Sequence, residues 1–262
     1  MVVQNVIELS CWERLAEATA GIGEARLFPP EPPLDAQGRM PDGFGAQFRA
    51  SLARLEARLR AAGGSLDHVL RAEIRVDRSG PEAYGALQAA FLAGFAAMPR
   101  PARCVSAATG LAHGGLVEVG AVAATGAPPG SGPDAAIIAA DGPAPCAPFP
   151  HARAHEGGVW VTAQVGSDPA SGSLAPVPGG SAVQLAQAMS NLEAILRASG
   201  SSLERVVHLR LQYTAASERD LLARLIKERP LPFCAVELAE VPFIPTAQAG
   251  VTVKVDAVAR LG

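Results

Sequence analysis

Apolar positions recur along this chain with two alternating periods. In the C-terminal half, Gly158-Val-Trp-Val-Thr162 predicts a strand and Asp168-Pro-Ala-Ser-Gly172 a tight turn. Leu185, Met189, Leu192, Ile195 and Leu196 then follow helical spacing. Gly200 is placed to end that helix, as Gly63 ends an equivalent one in the N-terminal half. Val206 to Tyr213 alternates with the period of a strand, and a second helix is predicted over about Glu218–Glu228. The segment from Val251 to Val258, rich in β-branched residues with polar residues at alternate positions, predicts a closing strand. Each half therefore reads as α+β, with helices gathered on one face of a sheet.

The pattern occurs twice. Residues 55–76 (LEARLRAAGGSLDHVLRAEIRV) and 192–213 (LEAILRASGSSLERVVHLRLQY) agree at ten of 22 positions without a gap. Val117-Glu-Val-Gly-Ala-Val-Ala123 likewise matches Val253-Lys-Val-Asp-Ala-Val-Ala259, and Pro101-Ala-Arg-Cys104 matches Leu231-Pro-Phe-Cys234 more weakly. The order is the same in both halves, so one domain is present twice. The seam lies in the Gly/Pro-rich stretch beginning Gly126-Ala-Pro-Pro-Gly. This divides the chain into a first domain at 1–125, a linker at 126–136 and a second domain at 137–262. Ile137 and Ile138 are expected to begin the first strand of the second domain.

Composition narrows the function. With 262 residues, 49% hydrophobic and 18% charged, the chain can bury two cores and does not read as disordered. No apolar run is long enough for a membrane span and no signal peptide is apparent, so a soluble, cytoplasmic protein is expected. A net charge of −3 gives no reason to expect a nucleic-acid partner. The four cysteines (Cys11, Cys104, Cys146, Cys234) are widely spaced and lack partnered histidines, which argues against a disulfide framework or a metal site.

The helix ending in Ala-(Ala/Ser)-Gly-(Gly/Ser)-Ser-Leu, the Pro-Ala-Arg-Cys turn and the closing Val-Glu-Val-x-Ala-Val-Ala strand resemble the Rid/YjgF family of enamine/imine deaminases. The second half adds Pro148-Phe-Pro-His-Ala152, and Thr162-Ala-Gln164 where the family has Ser-Gly-Gln. The resemblance implies two tandem YjgF-like (chorismate-mutase-like) domains, each a mixed sheet with two helices on one face. It further implies a homo-oligomer, a trimer, with pockets between domains and no cofactor or metal. The implied substrate is a small imine or enamine bearing a carboxylate. Arg103 is then the carboxylate clamp, for which a planar guanidinium is suited, and Glu118 the group that activates water.

Departures from the family pattern refine the site. Gly120 stands where the family commonly has an acid, so its missing side chain could widen the pocket. Pro29-Pro-Glu-Pro-Pro33 occupies the place of Ser-Gly-Gln in the first half, removing backbone donors. In the second half Phe233 replaces the arginine and Lys254 the glutamate, so that half's own site reads as dead, with Lys254 a solvated strand lysine or an anion attractor. One composite site per chain follows: Arg103 and Glu118 from the first half, with Phe149, His151 and Gln164 from the second and Gly120 giving room. His155, close to His151 on the same segment, is expected to be polar lining or surface with it, and Cys104 and Cys234 to serve packing. A chorismatase-like enzyme acting on chorismate and a non-catalytic small-molecule-binding or scaffold protein are the alternatives.

Overall fold

The computed structural model describes residues 11–22, 24–78, 80–97, 99–130, 136–145 and 147–262. Cys146 and residues 131–135 of the expected linker lie outside the described residues, as does the side chain of Cys11. A helix α1 (Cys11–Thr19) precedes a first unit of β1 (Ala25–Glu31), α2 (Phe44–Ala61), β2 (Val69–Val76), α3 (Pro81–Gly94), β3 (Ala102–Ala107) and β4 (Val117–Ala124). The second unit opens with β5 (Ala136–Ile137), β6 (Ala152–His155), β7 (Gly158–Val161) and β8 (Gln164–Val165). It continues with α4 (Ser181–Ala198), β9 (Val206–Tyr213), α5 (Arg219–Lys227), β10 (Ala235–Glu240) and β11 (Val253–Arg260).

Both sheets share one topology. The first has the order β1-β4-β2-β3, and the second runs β10-β9-β11-β7-β6-β5, with β8 also pairing with β11. In each, the closing strand lies antiparallel beside the middle strand, and the middle strand runs parallel to the edge strand β3 or β10. The chain is thus α+β, with the same unit built twice. The predicted strand Val206–Tyr213 is β9 residue for residue, and the predicted second helix is α5. Gly63 and Gly200 each follow their helix at φ +84° and +74°, in the left-handed region that glycine takes without a steric penalty. The strand expected at Ile137 and Ile138 is the two-residue β5, and Ile138 is exposed.

Alternation in the strands sorts side chains between two kinds of core. One face of each sheet packs on its helices: Phe48, Leu55 and Phe91 against Ile74 and Val119, and Leu185, Leu192 and Leu222 against Leu209 and Val255. The opposite faces of the two sheets meet each other. There Leu70 and Val122 join Trp160 and Val258, with Leu15 of α1 and Ile22 closing the cluster.

Beside this apolar cluster lies a buried charge quartet that crosses the interface. Arg71 Nε donates to Glu73 Oε1 (2.5 Å), Arg210 Nη2 to Glu73 Oε2 (3.2 Å) and Arg210 Nε to Asp256 Oδ2 (2.8 Å). Arg71 also donates to the carbonyl of Ala257 across the interface (3.1 Å). Four charges of balanced sign, hydrogen-bonded to one another, are a tolerable burial where any one alone would not be.

The opening strand of the first half has its own solution. β1 runs through Pro29 and Pro30, and its register with β4 shifts between Phe28 and Glu31. Proline is tolerated there because β1 is an edge strand with β4 as its neighbour. Ser51 of α2 repairs the interrupted ladder: its hydroxyl accepts from Val119 N–H (2.7 Å) and donates to the Glu31 carbonyl (2.6 Å).

Candidate active site between the two halves

A cavity of about 120 Å³ opens where β3 of the first half faces the second half. The first half lends it Tyr84, Arg103 and Val105; the second lends Phe149, His151, Gln164 and Lys254 among others. The two halves are stitched together at this point. Arg103 N–H donates to Thr162 Oγ1 (3.0 Å), Ala163 N–H donates to the Arg103 carbonyl (3.1 Å), and Thr162 Oγ1 donates to the Pro150 carbonyl (2.8 Å).

The Arg103 guanidinium is buried and held on several sides. Nη1 donates to Gln88 Oε1 (2.7 Å) and Nη2 to the Tyr84 hydroxyl (2.6 Å), both from α3. Its carbon lies 4.4 Å from the centre of the Phe149 ring and 5.1 Å from that of Phe91, within cation–π range. Phe149 itself packs into the first half's core, edge-on to Phe91 at 5.7 Å. A second-half aromatic thus completes the first half's core and walls in the arginine at once. Tyr84 and Gln88 left no signal in the sequence, because their task depends on which face of α3 meets β3.

His151 lines the cavity but is tied into the backbone. Its Nδ1 accepts from Ala139 N–H (3.0 Å), which leaves Nε2 to donate to the Pro143 carbonyl (2.8 Å). Burial lowers its pKa, only partly opposed by the Pro143 hydrogen bond. Neutral and with both nitrogens engaged, it shapes the segment rather than offering a proton. His155 does not line the cavity. Gln164 does, with its amide nitrogen donating to the Thr162 carbonyl (2.8 Å). Ser167 was not anticipated: it lines the cavity, and its buried hydroxyl has no partner among the described residues.

Glu118 is not brought to this cavity. Its carboxylate accepts from Arg75 Nη1 (3.0 Å) and from the backbone N–H of Ala112 (2.9 Å), and it does not line the space beside Arg103. Gly120 is likewise elsewhere, and the room it was expected to give a ligand is taken by the chain. A Cβ built there would lie 2.7 Å from both the Phe28 carbonyl oxygen and the Pro30 nitrogen. The β1 bulge, forced by the prolines, presses against β4 at this residue.

The reading of Lys254 as a solvated strand lysine is also corrected. It is 4% exposed, because its face of β11 meets the first half, and its ammonium or amine donates to the Val105 carbonyl across the interface. Burial, with Arg210 and Arg103 adding to it, pulls its pKa down to about 7 against the opposing influence of Cys104 and Asp256. Cys104 faces away from the cavity: its thiol lies 3.8 Å from the Val161 carbonyl, and burial holds its pKa well above the ordinary value, which suits packing. The second-half position equivalent to Arg103, Phe233, is 84% exposed and does not line this cavity. Among the described residues no cluster of three or more acidic, histidine or cysteine side chains could hold a metal, and no helix is long and apolar enough to cross a membrane.

Comparison with known proteins places the chain. A profile of the family described as endoribonuclease L-PSP matches residues 31–125 and again 139–259. Over 71 residues the chain is 39% identical to a 2-iminobutanoate/2-iminopropanoate deaminase of Bos taurus and 38% identical to its counterpart in Capra hircus. Each alignment spans 27% of this chain and 50% of the relative, so the chain matches about half the length of these proteins. Among solved structures, the yeast protein YEO7 is 23% identical with a TM-score of 0.44, and covers 48% of this chain and 98% of its own. RidA of an Antarctic Psychrobacter is 23% identical with a TM-score of 0.43 and the same coverage. The YjgF gene product of E. coli is 21% identical, also at 0.43, and covers 48% of this chain and 97% of its own. The two profile matches fall on the two structural units, and the chain therefore belongs to the endoribonuclease L-PSP (Rid/YjgF) family, with the family's unit present in tandem.

Proposed function

We propose that the chain hydrolyses a small reactive imine bearing a carboxylate, at the cavity beside Arg103 between its halves. The observation that carries this reading is the buried Arg103 guanidinium, pre-positioned by Tyr84 and Gln88 and faced by Phe149. A guanidinium already held in place binds a carboxylate without first ordering itself, and the low dielectric around it strengthens the contact. The similarity to 2-iminobutanoate/2-iminopropanoate deaminases supports an imino acid as the substrate class. The cavity's modest volume supports a small acid over a polymer. Gln164 and Ser167 are the proposed hydrogen-bonding partners for the remainder of the ligand.

A second reading has its own support. Among the described residues that line the cavity, none is a carboxylate, while two are basic. A protein that only holds an organic anion would be built this way. One assay separates the two. Ammonia release from freshly generated 2-iminopropanoate is expected to exceed its spontaneous rate, and Arg103→Ala is expected to lower kcat/KM about 100-fold, the scale of losing a charge-assisted double contact. Turnover no faster than in buffer, with 2-oxo acids still bound, would select the binding protein.

A further inference from the structure

The deaminase reading leaves a chemical gap. Hydrolysis of an imine needs a group that accepts and returns protons, and the cavity holds no carboxylate among its described lining. His151 has both ring nitrogens engaged by backbone, and Cys104 points away. Lys254 is the titratable nitrogen that remains. It lines the same cavity as Arg103, its aliphatic stem lies in the interface between the sheets, and no carboxylate lies within ion-pair distance of it among the described residues. Asp256, two residues along the same strand face, is occupied by Arg210 and Arg71. The Lys254 nitrogen spends one hydrogen on the Val105 carbonyl, which orients it and leaves a lone pair available once it is neutral.

We propose that Lys254 is a catalytic nucleophile that forms a covalent imine with the substrate's C2 while Arg103 holds the carboxylate. This rests on the deaminase reading and supplies its missing step. The neutral Nζ adds to C2 of the 2-imino acid, and the Lys254 proton passes to the substrate nitrogen. Ammonia then leaves, taking the second Nζ proton, as the C2–Nζ double bond forms. Water adds to the same carbon, the C2–Nζ bond breaks, and the 2-oxo acid departs with Lys254 regenerated. One water is consumed and one ammonia released, with no oxidant, metal or further reactant. The same chemistry run from the product side predicts that a 2-oxo acid condenses with Lys254, losing water.

The surroundings favour a neutral amine near neutral pH. Burial is the main cause, and the cations Arg103 on β3 and Arg210 on β9 act in the same direction, while Cys104 and Asp256 oppose them. Desolvation and neighbouring cations are the recognised means of making a lysine nucleophilic.

The chain carries an internal control, because Lys227 is its one other lysine and lies exposed on α5. The test incubates the whole protein with pyruvate and sodium cyanoborohydride at pH 7 and maps the alkylated peptide by mass spectrometry. The expected result is a carboxyethyl adduct on Lys254 well in excess of Lys227, lost in Lys254→Arg and diminished in Arg103→Ala. Lys254→Arg keeps a long basic side chain in the site, and its thermal unfolding is compared with wild type to separate misfolding from lost chemistry. Ammonia release by the folded variant is expected to be roughly 100-fold lower, the scale on which one positioned proton-transferring group acts. No adduct on Lys254, or equal labelling of Lys227, overturns the covalent role. If wild type nevertheless releases ammonia, the deaminase reading stands without it; if it does not, both fall.

Discussion

Arg103 is unusual in how little freedom it retains. Two hydrogen bonds donated to α3 side chains, two shared with the 162–163 segment and the Phe149 ring fix both its backbone and its head group. A lysine could not make the paired contacts, so Arg103→Lys is a poor substitute. Two other residues test the placement of the site. Glu118→Gln is expected to leave kcat/KM for imine hydrolysis within about threefold, since its carboxylate serves Arg75 and Ala112, while lowering stability by roughly 1–3 kcal/mol. Loss of activity in a stable Glu118→Gln variant would return water activation to that residue. Gly120→Ala is expected to destabilise by about 1–3 kcal/mol through overpacking, because the atoms met by the new Cβ are backbone of β1 and cannot swing aside. A denaturant midpoint unchanged from wild type would contradict that contact.

At the level of elements, the repeat and most strand and helix positions were legible because their periodicity is local. The predicted β9 matched in full, and α4 and α5 within a few residues. What the pattern did not reveal was the pairing of the two sheets' outer faces. Alternating polar residues on β2, β9 and β11 look like solvated faces, yet Arg71, Glu73, Arg210 and Asp256 are buried against each other. For the same reason Lys254 looked solvated and Glu118 looked available. A repeat of hydrogen bonding was equally invisible: Gln47 accepts from Leu116 N–H, and Gln184 from Thr252 N–H, each joining the first turns of a helix to the start of the closing strand.

The quartet carries a pH prediction. Burial alone would raise the pKa of Asp256, but the Arg210 and Arg71 guanidiniums outweigh it and hold the carboxyl below its ordinary value. A depressed carboxyl adds stability above its unfolded pKa and loses that contribution as pH falls through its folded value. The contribution of Asp256 is therefore expected to be constant near neutrality and to be lost as pH falls below about 4, where free aspartate protonates. Asp256→Asn should remove part of that acid dependence and cost roughly 3–5 kcal/mol at pH 7, because Arg210 and Arg71 remain buried with less opposing charge. Denaturant titrations of both proteins across pH check this; parallel curves for the two would show that Asp256 is not the titrating group.

Across the whole molecule, the proposed site draws on two unequal copies of one unit. The first half keeps the arginine turn; the second supplies Phe149, the 162–164 segment and Lys254, while Phe233 replaces its own clamp. The edge strand β3 is covered by the second half, whereas Ala235 and Val236 leave the equivalent edge β10 exposed. Which residues each half lacks was readable in the sequence, but the burial of Lys254 against the first half was not. The most direct test is the position of a bound 2-oxo acid, read from a crystal structure of the chain soaked with 2-oxobutanoate. The carboxylate is predicted on the Arg103 guanidinium beneath Phe149, with C2 directed towards Lys254. Density beside the Arg75–Glu118 pair, or at Phe233, with the cavity at Arg103 free of ligand, would contradict a single composite site between the halves.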